Sequence, residues 1–249
     1  MKTNTTKLLI KQCQIELLRV IRNPYYVFWS LLMPVIFYFI FTRIIDSGQN
    51  MKEWAAHYLM SMTTFSVMGS SIMTLGIRLV QERTEGWTKF MQVTPLPGWM
   101  YSFGKMFSQM VMSLISIGFI FGACVLINEV SLPLLTWVYS ALWILVGSIP
   151  FLAIGTLIGN MKRVDTASGV SNAIYLIMAL LGGMWMPIET FPAVMQRIGK
   201  WLPSYNYGNG AWDIVNGHAP DLRHMVILVG YLLLFMVLSS YIRKKQEVV

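Results

Sequence analysis

The sequence has little charge and almost no cysteine. Asp, Glu, Lys and Arg make up 12% of the 249 residues and hydrophobic residues 55%, whereas soluble proteins carry roughly 25% charged residues. So few charges cannot cover a globule of this size in water, and a disordered chain or a coiled coil would need many more polar residues. Two cysteines are too few for a disulfide scaffold. The composition therefore indicates an integral membrane protein with one transmembrane domain, residues 1–249.

Groups that would carry chemistry are also missing. An ion-coupled transporter usually keeps a charged side chain or a His near the bilayer midplane. Because the middles of the apolar stretches contain no Asp, Glu, Lys or Arg, we do not expect transport driven by an ion gradient. The nearest approach to a phosphate-binding loop is residues 98–106, where Met106 stands in place of the Ser or Thr that holds magnesium. We interpret Gly104 and Lys105 as the start of a helix at the membrane interface.

Metal and nucleic-acid sites are not expected either. No Cys or carboxylate cluster stands at ligand spacing from the three histidines, His57, His218 and His224. No basic stretch is interleaved with stacking aromatic residues, as a nucleic-acid surface would require. The sequence predicts neither an enzyme nor a cofactor in this chain.

Long runs without charge are the clearest positive signal. A helix rises about 1.5 Å per residue and needs about 20 residues to cross a ~30 Å hydrocarbon core. Six runs are long enough, and they predict transmembrane helices at about residues 25–45, 57–79, 104–127, 135–159, 166–186 and 224–242. We therefore expect an all-α polytopic membrane protein with six spans. Glycines one turn apart predict close helix packing at two places, Gly118 with Gly122 and Gly155 with Gly159.

The segment before the first span is amphipathic. Residues 7–22 separate an apolar face (Ile10, Leu17, Leu18 and Ile21) from a polar face (Gln12, Glu16 and Arg19). This pattern is typical of a helix at the cytosolic membrane interface. A helix that only leads into the first span would fit equally well.

The distribution of basic residues predicts the orientation. With six spans both termini lie on one side, and 14 of the 19 Lys and Arg residues fall in segments on that side. Because basic residues accumulate on the cytosolic side, we expect both termini in the cytosol and the protein in the plasma membrane.

Residues 81–97, after the second span, form an organised cytosolic segment. We predict a short helix over 81–91 that includes Gly86, presents Glu82, Arg83 and Glu85 on a surface, and is anchored by Trp87 and Phe90. A solvated interfacial loop is the alternative.

Residues 187–215, before the last span, form an outer segment. Only 12 uncharged residues, 201–212, are available there, so a seventh span is excluded. We predict short re-entrant or interfacial helices, interrupted by prolines and anchored in the outer leaflet by aromatic residues. The residues concerned are Pro187, Glu189, Pro192, Trp201, Pro203, Tyr205, Tyr207 and Trp212.

The order of these segments resembles the permease subunits of ABC-2 type exporters. In that family Glu-Arg-x-x-Gly precedes Thr-Pro, and a Gly-x-x-x-Pro-x-x-x-x-Pro segment precedes a later Leu-Pro. The matching residues here are Glu82, Arg83, Gly86, Thr94, Pro95, Gly183, Pro187, Pro192 and Pro203. The resemblance covers essentially the whole chain. The sequence departs from the common pattern at Trp87, where a small or polar residue is more usual, and at Thr88 and Lys89, which replace an acidic continuation.

This resemblance implies the partners and the activity. It implies a separate ABC ATPase subunit in two copies, which binds ATP and magnesium, and a second permease subunit in a homodimer or heterodimer. Residues 81–91 would then couple the permease to the ATPase, and the cargo would be an amphipathic drug, antibiotic or lipid-like molecule moving outward. The alternatives are an exporter of a polysaccharide or lipid-linked glycan, and a membrane receptor or immunity protein that transports nothing.

Overall fold

The helices follow one another in an all-α arrangement. The computed structural model describes residues 5–44, 51–87, 93 and 97–247, and no strand occurs within these ranges. The α-helices are α1 (Thr5–Ile21), α2 (Pro24–Phe39), α3 (Met51–Gly69), α4 (Leu75–Thr84), α5 (Gly98–Asn128), α6 (Leu134–Gly147), α7 (Ile149–Ile158), α8 (Val164–Leu181), α9 (Ala193–Gly199), α10 (Pro203–Val215) and α11 (Leu222–Glu247). A π-helix, Ile40–Ile44, extends α2, another, Ser70–Thr74, joins α3 to α4, and a 3-10 turn covers Ile188–Thr190.

Six helical stretches are long and apolar enough to cross a membrane, which confirms the predicted number. They are Val27–Ile44, Glu53–Thr84, Gly98–Asn128, Leu134–Ile158, Val164–Leu181 and Leu222–Ile242. The second stretch continues five residues beyond the predicted end at residue 79. It does so because its charged last turn, which includes Glu82, is paired inside the protein rather than solvated.

The second span is the centre of the fold. It packs against α2, α5, α7, α8 and α10. In its apolar 18-residue stretch 67% of the residues are buried, compared with 6% in that of the last span. Its buried side chains include Leu59, Met60, Met62, Met68 and Ile72. The other spans surround it and turn apolar side chains outward, as expected of helices that face lipid.

Hydroxyl side chains are common in this central span, and most of the bonds they donate go to carbonyls of their own helix, whereas Ser66 donates to the Ser30 carbonyl of α2 at 3.3 Å. Thr63 donates to the carbonyl of Leu59 at 2.7 Å, Thr64 to that of Met60 at 2.8 Å, and Ser71 to that of Val67 at 2.8 Å. Back-bonding to the preceding turn satisfies these three hydroxyls within their own helix. The helix can therefore be buried although it is rich in Ser and Thr.

The two glycine pairs play different structural roles. A Cβ on Gly155 would collide with the Ser71 carbonyl oxygen, and a Cβ on Gly159 would lie 2.7 Å from Leu79 Cδ1. A Cβ on Gly118 or Gly122 would meet no described atom within 4 Å. Close packing is therefore confirmed for the pair in α7 and is not found, among the described residues, for the pair in α5.

The outer segment is broken into short pieces, as predicted. The 3-10 turn, α9 and α10 are separated by residues that include Pro192 and Lys200, so no continuous helix spans 190–212. The prediction that Tyr207 and Trp212 are interfacial anchors is wrong. Both are buried, because α10 packs against α3, α6 and α11 and their polar atoms find partners in the core.

Candidate coupling site at the charged end

Five charged side chains from three helices meet at one end of the spans. Glu16 and Arg19 come from α1, Arg78 and Glu82 from α4, and Lys105 from α5. We call these five residues the ion cluster and this end of the molecule the charged end. The opposite end, which carries α9 and α10, is the aromatic end.

The ion cluster is closely connected. Lys105 Nζ lies 2.6 Å from the Glu82 carboxylate and 3.3 Å from Glu16 Oε1. Arg78 Nη2 lies 2.6 Å from Glu16 Oε2, and Arg19 Nη1 lies 2.8 Å from Glu82 Oε1. Glu16 therefore contacts two cations and Glu82 three, so charge-assisted hydrogen bonds connect α1, α4 and α5.

Burial makes this cluster more than a set of surface ion pairs. The side chain of Lys105 is 1% exposed, that of Glu82 3% and that of Glu16 4%. Removing one partner from such a cluster leaves an uncompensated buried charge, which typically costs 3–5 kcal/mol. The cluster therefore constrains how the three helices can move relative to one another.

Two aromatic residues, Tyr101 and Trp87, contact the ion cluster. The Tyr101 hydroxyl donates to Glu82, and the Lys105 ammonium lies 4.6 Å from the centroid of the Tyr101 ring. The Arg19 guanidinium lies 5.2 Å from the centroid of the Trp87 ring. Trp87, just after the central span, is thereby connected to α1 through a cation–π contact.

Helix α1 presents its polar face to the protein. Glu16 and Val20 are buried and Gln12 donates to Glu16 at 3.2 Å, whereas Ile10 and Leu18 remain about half exposed. This orientation fits a helix whose apolar side faces lipid. Its approach to α5 depends on Gly104, where an added Cβ would lie 2.9 Å from Gln12 Cγ.

Two placements expected from the sequence are wrong. Glu82 is not on an outer surface: it is buried, because α4 turns it toward Lys105 and Tyr101. Gly104 and Lys105 do not begin a helix either, since α5 starts at Gly98 and buries Lys105 in its second turn. Residues 81–84 belong to the central span rather than to a separate short helix.

The other residues of the predicted coupling segment follow the end of α4. Arg83 Nη1 donates to the Asn160 carbonyl at 3.1 Å, and Asn160 Nδ2 donates to Ser239 Oγ at 3.0 Å, which connects α4 to the turn after α7 and to α11. Glu85 is exposed and Gly86 adopts a φ of 81°, which favours glycine and ends the helix.

The far part of this segment is only partly described. Trp87 is 41% exposed, whereas Phe90, Thr94 and Pro95 lie outside the described residues. The structure therefore describes only the first part of the predicted helix over 81–91, and residues 81–84 of that part belong to α4.

The predicted residues of the outer segment lie at the aromatic end. Pro187 and Pro192 immediately precede the 3-10 turn and α9, and Pro203 is the first residue of α10. Glu189 is exposed, and Trp201 is 62% exposed with Arg223 5.5 Å from its ring centroid.

Tyr205 belongs to a larger group of packed rings. It lies 6.2 Å from the Trp212 ring, which stacks on His57 at 4.6 Å, and Trp212 Nε1 donates to Ser61 Oγ at 2.9 Å. Burial raises the pKa of the Tyr205 hydroxyl above its usual value. Burial also raises the pKa of the Asp213 carboxyl, and His224 and His218 oppose that effect.

Sequence reasoning missed most of the ion cluster as a unit. The local sequence around Glu16, Arg19, Arg78 and Lys105 does not show that these four side chains meet. One signal could have revealed the cluster: an acidic residue on the polar face of α1 and another at the end of the second span both need cationic partners. Among the described residues, no group of three or more His, Cys, Asp or Glu side chains could hold a metal ion.

Comparisons with known proteins agree with these features. The family model described as "ABC-2 family transporter protein" matches residues 44–241. The chain is also similar to a protein of Bacillus subtilis (strain 168) described as "Putative transport permease YvfS". The two are 53% identical over 240 residues, which cover 96% of this chain and 98% of the relative.

Proposed function

The chain belongs to the ABC-2 family of transporter proteins, and from this we propose that it is the permease subunit of an ATP-driven exporter for an amphipathic drug, antibiotic or lipid-like molecule. It is a multi-pass membrane protein, and permeases of its family generally pair with an ABC ATPase. In this proposal a separate ATPase, in two copies, binds ATP and magnesium. A second permease subunit completes the transporter.

The ion cluster is the observation that carries the coupling part of the proposal. It joins α1, α4 and α5 directly beneath the exposed residues Glu85 and Trp87. Buried, well-paired charges resist separation, so a force applied to the end of α4 would move these helices together. Coupling needs such a physical contact between the site of ATP hydrolysis and the spans.

The proposed contact with the ATPase centres on the segment that follows α4. Trp87 and Phe90 provide the apolar anchor and Glu85 a rim charge, while Gly86 sets the turn. Glu82 and Arg83 act from inside the permease: Glu82 holds α4 to Lys105, and Arg83 reaches Asn160. In this arrangement the charged end is the cytosolic end, consistent with the 14 of 19 basic residues on that side.

The second permease subunit has a candidate docking face on α8. Asn172 lies midway along this span and is exposed, and among the described residues no hydrogen-bond partner reaches its amide. Hydrocarbon cannot satisfy an amide, so such a side chain favours contact with another helix. An Asn amide both donates and accepts, so two copies related by a two-fold axis could pair through their Asn172 side chains.

The proposal is tested by purifying the tagged chain from its native membranes and identifying the ABC ATPase that accompanies it. We expect the two to co-purify and to transport cargo when ATP is supplied. Trp87→Ala should weaken assembly roughly thirtyfold, since a buried aromatic anchor often supplies 2 kcal/mol or more. Glu85→Lys should reduce transport-linked ATP hydrolysis and leave the membrane fold intact.

Glu129→Lys is the matched control for charge reversal, because Glu129 is exposed at the aromatic end. It should leave subunit stoichiometry, ATP hydrolysis and export unchanged. If a Glu85→Lys, Trp87→Ala double variant is equally normal, the coupling assignment is wrong. If no ATPase co-purifies, the non-transporting receptor or immunity protein becomes the better assignment.

Export of a polysaccharide or lipid-linked glycan remains the second candidate. Such a path would use aromatic rings to stack on sugars. The rings of His57, Tyr205 and Trp212 border a cavity of only about 160 Å³ together with Asp213 and Glu189. Because these rings also pack against one another, this cavity supports a glycan path less well than the apolar surfaces support an amphipathic cargo.

A further inference from the structure

A groove opens beside the ion cluster on the outside of the central span. It has a volume of about 660 Å³ and lies between α2 and α3–α4, with Tyr175 of α8 at its border. Arg19 and Arg78 lie at its end nearest the charged end, and its walls include Trp29, Met33, Phe65 and Ile77. We call it the amphipathic groove.

The charged end of this groove carries an excess of positive charge. The ion cluster holds three cations and two carboxylates, and the carboxylates of Glu16 and Glu82 are only 3–4% exposed. The side chains that face the groove are Arg78, which is 18% exposed, and Arg19, which is 41% exposed. The two guanidinium groups therefore face the groove, and the carboxylates that neutralise them lie buried behind them.

Both guanidinium groups have hydrogen-bonding capacity left for a ligand. Each has five N–H donors. Arg19 directs Nη1 to Glu82, and Arg78 directs Nη2 to Glu16 with Nε 3.8 Å from Glu82. An anionic group between the two arginines could accept the remaining donors in a charge-assisted pair.

The rest of the groove favours an apolar ligand. Ser30, Ser66 and Ser70 line it, but each donates to a backbone carbonyl, to Val27, Ser30 and Val67 respectively. Asn23, Thr74 and Gln81 also line the groove, and the rest of its wall is formed mainly by aromatic and aliphatic side chains, with Trp29 50% and Met33 45% exposed. These three serine hydroxyls are thus satisfied by the protein, and most of the wall offers apolar contact.

The length of the groove fits one leaflet of a membrane. From Phe65 to Arg78 the central span advances 13 residues, or about 20 Å at 1.5 Å per residue. One leaflet of a ~30 Å hydrocarbon core is about 15 Å deep. A chain lying along Phe65 and Ile77 would therefore place its head group near Arg78.

We propose that the amphipathic groove binds an amphiphile with an anionic head group, taken from the leaflet at the charged end, and that such molecules are the cargo class of this transporter. The head group contacts Arg19 and Arg78, and the apolar chain lies along Trp29, Met33 and Ile77. The part of this inference that calls these molecules the cargo rests on the proposed function. The binding site itself stands on the groove and its charge.

The first test measures binding to the purified chain in phosphatidylcholine nanodiscs. The three probes share one chain and differ in charge: hexadecyl phosphate, hexadecanol and hexadecyltrimethylammonium. We expect hexadecyl phosphate to bind at least tenfold more tightly than either of the others, as one or two charge-assisted hydrogen bonds would provide. Equal affinity for the three probes would overturn the proposal.

Variants separate the head-group contact from the chain contact. Arg19→Gln should lower the affinity for hexadecyl phosphate about tenfold and leave that for hexadecanol unchanged, and Arg19→Lys should retain much of the preference. Met33→Trp, which fills the groove, should lower the affinity for both probes. Arg197→Gln, at an exposed position of α9, is the matched control and should change neither.

The second test uses the chain reconstituted with its ATPase in vesicles. ATP-dependent movement of hexadecyl phosphate that is lost in Arg19→Gln supports the cargo assignment, and Arg19-dependent binding without movement overturns it. If the complex exports a different amphiphile and shows no preference for the anion, the groove assignment is wrong while the exporter proposal stands. Thermal melting of each variant distinguishes these results from loss of the fold.

Discussion

At the scale of single residues, Lys105 is the most constrained charge in the described part of the chain. It is almost completely buried and contacts Glu82 and Glu16, which come from two different helices. Its ammonium also lies near the Tyr101 ring. Such a residue stabilises the fold only while all its partners are present, because each buried charge needs compensation.

Lys105→Met should therefore reduce the free energy of unfolding by about 3–5 kcal/mol, since Glu82 and Glu16 lose a buried cation. The measurement is thermal or denaturant unfolding of the detergent-solubilised protein. Lys200→Met removes an exposed lysine and should have almost no effect. Adding Glu16→Gln to Lys105→Met should cost less than the sum of the single changes, and strict additivity would contradict a coupled cluster.

At the scale of elements, α7 and the central span are held together by a backbone contact rather than by large side chains. A Cβ at Gly155 would collide with the Ser71 carbonyl oxygen and lie 3.3 Å from Leu75 Cβ. Ser71 belongs to the π-helix that joins α3 to α4. The approach of the two helices therefore depends on the absence of a side chain at one position.

Gly155→Ala should separate these helices and destabilise the protein by about 1–3 kcal/mol, the usual cost of overpacking. Gly118→Ala is the matched control, because nothing described lies within 4 Å of its added Cβ and Ala favours a helix over Gly by about 1 kcal/mol. We expect opposite shifts in the melting temperature of the two variants. The same shift in both would show that the contact at Gly155 is unimportant.

At the scale of the whole molecule, the orientation in the membrane remains a prediction based on basic residues. Cysteine placed at Asn216 in a Cys13→Ser background should react with a membrane-impermeant reagent on intact cells, because this position is exposed at the aromatic end. Cysteine at Lys162, exposed at the charged end, should react only after permeabilisation. The reverse pattern would invert the topology.

Assembly with a second subunit is the other prediction at this scale. Asn172→Leu removes the exposed amide from the middle of α8. We expect the dissociation constant of the dimer to rise about tenfold, because such interhelical hydrogen bonds contribute ~1–2 kcal/mol. Light scattering across a dilution series measures this. Leu233→Ala, at an exposed position of α11, is the control, and an unchanged Asn172→Leu dimer would contradict docking at α8.

Sequence patterns alone determined the membrane class, the six spans and the short helices before the last one. Each of these follows from local composition: the length of a charge-free run sets whether a helix can span, and prolines end helices wherever they stand. The resemblance to the ABC-2 family, now shown, likewise depended on the order of local motifs such as Glu82-Arg83 and the prolines from Pro187 onward.

Only the tertiary structure decided which of these residues face each other. Whether Glu82 is a surface charge or a buried one depends on Lys105, 23 residues later, and on Arg19, 63 residues earlier. Gly118 and Gly155 stand in the same local pattern, yet only Gly155 meets another described helix backbone. Local sequence determines the period and length of a helix, whereas its rotation about its own axis is set by the helices that pack against it. That rotation turned Glu82 inward and brought Arg19 and Arg78 to the amphipathic groove.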